Sequence, residues 1–455
     1  MSRLLISAAH KSSGKTTVSL GLCAALAQRG LQVQPFKKGP DYIDPMWLSL
    51  AAGRACHNLD FYCMSHEEII NSVGHYSTDA DIALIEGNKG LYDGLDLDGS
   101  NSNAALATLT QTPVILVLDA RGMTRGIAPL ILGYQSFDPE VQIAGVILNQ
   151  LGGSRHEAKL RAVIEHYTDI RVIGGVHRDH SMEIVERHLG LVPSNEDTSA
   201  INKIREISNL ISNQVDLDLL LASASAEPLS FHAIQPDVPS HETTVKIGIA
   251  RDAAFGFYYP DDLDALTRAG AELVPFNTLT DTKLPDIDGL FIGGGFPESH
   301  MQSLAANTSL KTAIREAIEG GLPAYAECGG MMYLTRRISW NDRHSEMVGV
   351  IPADTVMHAR PQGRGYVRLR ETPAAPWPAS QPQTEFVGHE FHYSGLENIT
   401  EPLTCAYEVI RGHGIDGSND GIVINNLLAS YSHMRDTDQH HWARRFVDFV
   451  RMARS

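Results

Sequence analysis

Short apolar runs alternate along this chain with longer segments whose apolar residues recur every three or four positions. In the first half, the runs 4–7, 31–36, 82–85, 114–118, 143–148 and 172–176 read as strands. Segments 17–29, 102–109, 122–134 and 155–166 read as the helices between them. Strands that alternate with helices predict a doubly wound, mostly parallel α/β sheet. Residues 229–243 contain two prolines and little periodicity, as a linker does. A second α/β pattern follows, with strands 245–250, 272–276, 289–292 and 322–326, helices 261–269 and 309–319, a loop at 251–259 and a strand-like run at 421–425. The expected organisation is one domain over 1–230, a linker over 231–243 and a second domain over 244–455.

Polar residues collect where the first-half strands end. Ala9-His10-Lys11-Ser12-Ser13-Gly14-Lys15-Thr16-Thr17 lies between a strand and a helix, the context of a phosphate-binding loop. Its backbone N–H groups would point at a polyphosphate, Lys15 would add a positive charge, and the Thr16 hydroxyl would sit on Mg²⁺. Ala9 replaces the loop's first glycine. Lys37-Lys38-Gly39-Pro40-Asp41-Tyr42-Ile43-Asp44-Pro45 follows the second strand, at the sheet edge where open α/β folds bind ligands. Asp41 and Asp44 suit Mg²⁺, and Lys37 suits a phosphate or a substrate carboxylate; a solvated turn is the alternative. Glu86 ends the third run as a metal ligand or base, or else as a loop acid. Asp119 and Asn149 end the next two. Arg187 and His188 read as an anion contact or as an exposed helix end.

The second half offers a nucleophile. Glu327-Cys328-Gly329-Gly330 joins strand 322–326 to a helix expected to open at Met331. A cysteine on such a turn resembles a nucleophile elbow, and a helix N-terminus favours its thiolate. Gly294 and Gly295 of the triple glycine 293–295, with Gly329, would supply backbone N–H groups as an oxyanion hole. His433 is the expected base, with His389 and His392 as competitors. A buried structural thiol is the alternative for Cys328.

Composition narrows the reading. A net charge of −17 argues against general nucleic-acid binding but not against an anionic substrate. Five cysteines without CxxC spacing fit a reducing cytoplasm rather than disulfides or structural zinc. No apolar run reaches about 18 residues, so no membrane span is expected, and no signal peptide is apparent.

The ordered motifs resemble the cobyrinic acid a,c-diamide synthase family of glutamine-dependent tetrapyrrole amidotransferases. The matching segments are 13–17, 36–44 (FKKGPDYID), 58–60, 86–87 with 90–94, 186–191 (ERHLGL), 252–260 (DAAFGFYYP), 293–298, 324–334 (AYAECGGMMYL), 388–394 (GHEFHYS) and 429–433. The resemblance implies a P-loop, dethiobiotin synthetase-like domain followed by a class I glutamine amidotransferase-like domain. Cys328 would release ammonia from glutamine with His433 as base, the acidic third member not being obvious. ATP and Mg²⁺ would activate a substrate carboxylate at a site holding Asp41, Asp44, Glu86 and Asp93, and ammonia would displace the phosphate. Asn149 stands where related P-loop synthetases contact adenine. Departures from the family pattern include Lys11 and Ser12 in the loop, Lys38, Asn88 and Lys89 near the acceptor, a missing histidine near Trp47 and Leu48, and Arg435 two residues after His433. With Tyr42, Lys38 and Lys89 are the expected substrate contacts, and their charge points to a different distribution of substrate carboxylates. The implied partners are glutamine and a tetrapyrrole, either cobyrinate or, as in one family branch, siroheme; a homodimer is allowed. Two other readings remain at this stage: a P-loop regulatory ATPase with a degenerate glutamine-binding module, and a dethiobiotin synthetase-type ligase that uses no glutamine.

Overall fold

The structure, a computed structural model, describes residues 2–184, 186–187, 190–197, 199–224, 226–234, 244–378 and 385–454. His188 and most of the expected linker, 235–243, lie outside the described residues. The chain divides into two compact units, Met1–Ile234 and Gln235–Ser455.

The first unit is built on seven strands: β1 (Ser2–Ala8), β2 (Val33–Lys38), β3 (His57–Leu59), β4 (Ile82–Glu86), β5 (Val114–Asp119), β6 (Ile143–Leu151) and β7 (Val172–His177). They pair in the order β3-β2-β4-β1-β5-β6-β7, and every neighbouring pair is parallel. Helices cover both faces of such a sheet, so its strands need apolar side chains on both. In β1, Leu4, Ile6 and Ala8 join the core on one face and Leu5 the core on the other. β5 repeats this, with Ile115 and Val117 opposite Leu116 and Leu118. On the first face lies α1 (Lys15–Gln28), packed so closely on the helix Ala200–Gln214 that a side chain at Gly21 would collide with Ile211.

Several boundaries differ from expectation, among them β6, which continues through Asn149 to Leu151. The helix expected at 122–134 is Ile127–Phe137, because Gly122 sits at φ 68°, in left-handed backbone that cannot begin a right-handed helix. The helix expected from 17 opens at Lys15. The second strand runs to Lys38, so Lys37 and Lys38 are strand residues rather than loop residues.

The second unit contains a nine-stranded mixed sheet. Its order is Ala271–Phe276, Val245–Ala250, Gly289–Ile292, Ala324–Glu327, Leu427–Ser430, Asn419–Ile424, Thr404–Arg411, Gly363–Glu371 and Glu385–His392. The first five are mutually parallel, and the remaining pairings are antiparallel. A separate four-stranded sheet joins Arg343–Glu346, Arg337–Trp340, Asp354–Met357 and Ser394–Glu397. These strands carry charged residues and no apolar run, so the hydrophobic pattern did not disclose them. The helix expected to open at Met331 instead spans Gly329–Leu334. One face of the large sheet is an aromatic core, with the Tyr325 ring 5.1 Å from both Phe291 and Trp442.

Trp442 is fully buried there. Trp442→Ala is expected to destabilise the second unit by about 3–5 kcal/mol, read as a fall in its denaturant midpoint.

Candidate active sites

Strand register assembles the first site. Ile6 of β1 and Lys37 of β2 both lie opposite Glu86 at the C-terminal end of β4. The phosphate-binding loop leaves β1 beside them and turns into α1 at Gly14, whose φ of 87° needs glycine. A Cβ at Gly14 would also strike the Asn149 amide. Three contacts brace the loop: Ser13 Oγ donates to the His10 carbonyl (2.8 Å), Asn149 Nδ2 to the Ser13 carbonyl (2.8 Å) and the Tyr134 hydroxyl to the Ala9 carbonyl (2.6 Å).

The charged groups meet in front of that loop. Lys37 Nζ donates to Asp44 Oδ2 (2.5 Å) and Glu86 Oε1 (3.0 Å), and Thr16 Oγ1 donates to the same Glu86 oxygen at 2.7 Å. Thr16 Oγ1 lies 3.3 Å from Asp44 Oδ2, and the Asp44 N–H donates to Asp41 Oδ1 at 3.0 Å. Burial alone would lower the Lys37 pKa, but the carboxylates of Asp44 and Glu86 outweigh it and hold the ammonium well above its usual value. Burial, reinforced by Asp44, pushes Asp41 up to about 7. Burial also raises Glu86, against the pull of Lys37. Lys15 is largely buried, and desolvation lowers its pKa.

The donor set fits a hard cation completed by a nucleotide. Glu86 Oε2 is buried without a hydrogen-bond partner, and the Thr16 hydroxyl and the Asp44 carboxylate are oxygen ligands of the kind Mg²⁺ takes. No group of three His, Cys, Asp or Glu residues among those described forms a metal cage by itself. That suits Mg²⁺, which binds through one or two carboxylates, water and substrate phosphates.

The other expected residues fall around this cluster in different states. Thr17 lies in the first turn of α1. Tyr42 is buried at the start of the helix Ile43–Ala52. Asp93 Oδ2 accepts from the Gly90 N–H at 3.0 Å, closing the loop after β4. Lys38 is buried with Nζ 3.2 Å from Asn88 Oδ1, and desolvation lowers its pKa to about 8. Lys89 is exposed on left-handed backbone at φ 41°.

In the second unit, strand Ala324–Glu327 delivers Cys328 onto a turn with φ 45° and ψ −102°, immediately before the helix Gly329–Leu334. This is a backbone region that non-glycine residues rarely occupy. The Cys328 N–H donates to the Ser430 carbonyl at 2.7 Å, pinning the turn to the neighbouring parallel strand. Three residues beyond Ser430 comes His433, whose ring is hydrogen-bonded to the Cys328 side chain. His433 Nδ1 faces Glu327 Oε2 at 3.1 Å, which leaves Nε2 for the thiol. Burial alone would lower the His433 pKa, but hydrogen bonds to Cys328 and Glu327 raise it to about 10. A cysteine held against such an imidazolium is equipped to attack a carbonyl carbon.

The expected oxyanion-hole glycines lie beside this pair. Gly294 and Gly295 pair with Phe257 and Phe255, and a Cβ at Gly294 would come within 2.7 Å of His433 Cε1. Gly329 packs on the Gly295 backbone. Of the competing histidines, His389 bonds His433 through backbone, its N–H reaching the His433 carbonyl at 3.1 Å, and His392 Nδ1 lies 2.8 Å from the Ser394 carbonyl. Glu327 went unassigned in the sequence reading; an acid directly preceding the nucleophile was the available signal.

A phosphate-loop unit followed by a unit with a cysteine–histidine pair on a strand-to-helix turn defines a glutamine-dependent, nucleotide-using amide ligase. Residues 5–192 match the CobQ/CobB/MinD/ParA nucleotide binding domain family, and residues 246–439 match the CobB/CobQ-like glutamine amidotransferase domain family. The cobyrinate a,c-diamide synthase of Magnetococcus marinus is 46% identical, covering 99% of this chain and 97% of its own. That of Methanosarcina acetivorans is 43% identical, covering 95% and 92%, and that of Archaeoglobus fulgidus 40% identical, covering 98% and 96%. The chain belongs to the cobyrinate a,c-diamide synthase family.

Two outcomes are expected of these sites. Gly14→Val, which forces a side chain into left-handed backbone and against Asn149, should abolish binding of a fluorescent ATP analogue. Because the His433 pKa is raised in the folded state, its stabilisation is complete below about 6.5 and is lost as pH rises through about 10. Urea midpoints of the wild type and His433→Gln should therefore converge over that interval.

Proposed function

We propose that this protein converts cobyrinate to its a,c-diamide, using ATP to activate each carboxylate and glutamine as the nitrogen donor. One observation carries the proposal: full-length likeness to enzymes of that name coincides with an intact Cys328–His433 pair in the second unit. A carboxylate resists ammonia until one of its oxygens becomes a leaving group, and a phosphoryl group transferred from ATP supplies that. Lys15 and the backbone of residues 13–17 bind the triphosphate. Thr16, Asp44 and Glu86 would hold Mg²⁺, which would neutralise charge on the phosphates. Lys37 orients the acceptor carboxylate and is itself fixed by Asp44 and Glu86. Asp41 and Asp93 shape the acceptor side, with Tyr42, Lys38 and Lys89 as substrate contacts.

In the second unit the Cys328 thiolate attacks the glutamine side-chain amide, and the His433 imidazolium protonates the departing ammonia. Backbone N–H groups at Gly294, Gly295 and Gly329 stabilise the oxyanion. The freed ammonia then displaces phosphate from the acyl phosphate. Five free cysteines support a reducing, cytoplasmic setting. Among the described residues no helix is long and apolar enough to cross a membrane.

The deciding experiment supplies ATP, Mg²⁺ and glutamine with cobyrinate and, in parallel, with siroheme, and reads products by mass. Conversion of two cobyrinate carboxylates to amides is expected; amidation of siroheme alone would overturn the substrate assignment. Cys328→Ala should lose glutamine-supported turnover and keep ammonia-supported turnover. Glu86→Gln should lose both.

A further inference from the structure

We propose that Glu327, the residue immediately before the nucleophile, is the positioning acid of the glutaminase centre and orients His433 toward Cys328. This rests on the glutaminase reading above. The Glu327 carboxylate is buried and divides its oxygens between two tasks. Oε1 accepts from the Tyr325 hydroxyl at 2.6 Å and from the Met434 N–H at 3.0 Å. Those two donors fix the group and leave Oε2 aimed at His433 Nδ1, 3.1 Å away. Both side chains are only 4% exposed, so the contact is shielded from solvent. An acid on Nδ1 selects the tautomer and ring orientation that present Nε2, and it stabilises the imidazolium formed during proton transfer.

Backbone geometry explains how adjacent residues reach both ends of one ring. Successive side chains on a strand point to opposite faces. The left-handed turn at Cys328 breaks that alternation, so residues 327 and 328 both meet the imidazole. The strand register brings the ring to them, since Glu327 pairs with Ser430, three residues before His433. On the far side of the histidine, Arg435 is ion-paired with Asp261 at 2.5 Å. The acid is therefore delivered from the nucleophile's own strand rather than from the segment after the histidine.

Glu327→Gln preserves the shape and the Oε1 acceptor while removing the charge. It should lower kcat with glutamine by about tenfold or more, with little change in the KM for glutamine. Ammonia-supported turnover should remain at the wild-type level. The pH profile for iodoacetamide alkylation of Cys328 should move upward by about one unit, because the thiolate loses a stabilised imidazolium. Tyr325→Phe, which removes that hydroxyl's contacts to Oε1 and Ser430 but keeps the carboxylate charge and the Met434 N–H donor, should move that profile by less. Unchanged kcat and an unchanged profile in Glu327→Gln would overturn the proposal, as would an equal shift in Tyr325→Phe. Should Glu327→Gln fail to fold, nitrogen NMR of ¹⁵N-histidine-labelled wild type decides, with His433 assigned by its loss in His433→Asn. A protonated, hydrogen-bonded Nδ1 is expected, and a bare Nδ1 would overturn the role. The alkylation and NMR readings need no substrate. Absence of any glutamine-supported amidation in the wild type would instead remove the proposed function.

Discussion

The first unit depends on one buried cation. Lys37 lies inside the protein, and an unpaired ammonium there would cost several kcal/mol. Glu86 is wholly buried and carries the same liability with opposite sign. Neither residue is tolerable without the other, and the pairing of β2 with β4 sets them side by side. Asp44 and the Thr16 hydroxyl complete the cluster, so the phosphate loop, the β2 end and the β4 end are held by one set of hydrogen bonds. Removing Lys37 strands the buried Glu86 carboxylate rather than merely deleting a contact. The cluster therefore fixes both the local fold and the geometry of the site.

Both units solve the placement problem in the same way. A parallel strand ends, the chain turns sharply, and a helix N-terminus begins where the chemistry is required. In the first unit the turn is Gly14, with left-handed backbone that suits glycine. In the second it is Cys328, where the side chain is indispensable and the strain must be accepted. Close approach is then left to neighbouring glycines. Gly294 lies against the His433 ring, and any side chain at Gly330 would collide with the Ile292 carbonyl.

Much of this was legible in the sequence, for identifiable reasons. Buried parallel strands leave continuous apolar runs, so β1, β4, β5 and β6 were readable, as were the polar residues at their ends. The phosphate loop and the cysteine turn carried their own local signatures. Apart from the run at 421–425, the antiparallel half of the second unit was not readable, because strands such as Arg343–Glu346 are largely exposed and highly charged. Helix starts slipped where backbone sign mattered, at Gly122 and at Cys328. The role of Asp44 as a partner of Lys37 emerged only from three-dimensional register, as did the contact between Glu327 and His433. A residue seven or a hundred positions away along the chain announces no such meeting.

The conformation of Cys328 also bears on how the sequence can drift. A non-glycine residue in this backbone region costs about 1–3 kcal/mol, which the rest of the fold must offset. Glycine at the same position would relieve that cost without moving the chain. Thermodynamic pressure at residue 328 therefore runs opposite to catalytic pressure. A lineage able to live on free ammonia would gain stability by discarding the thiol, and its fold would give no sign of the loss.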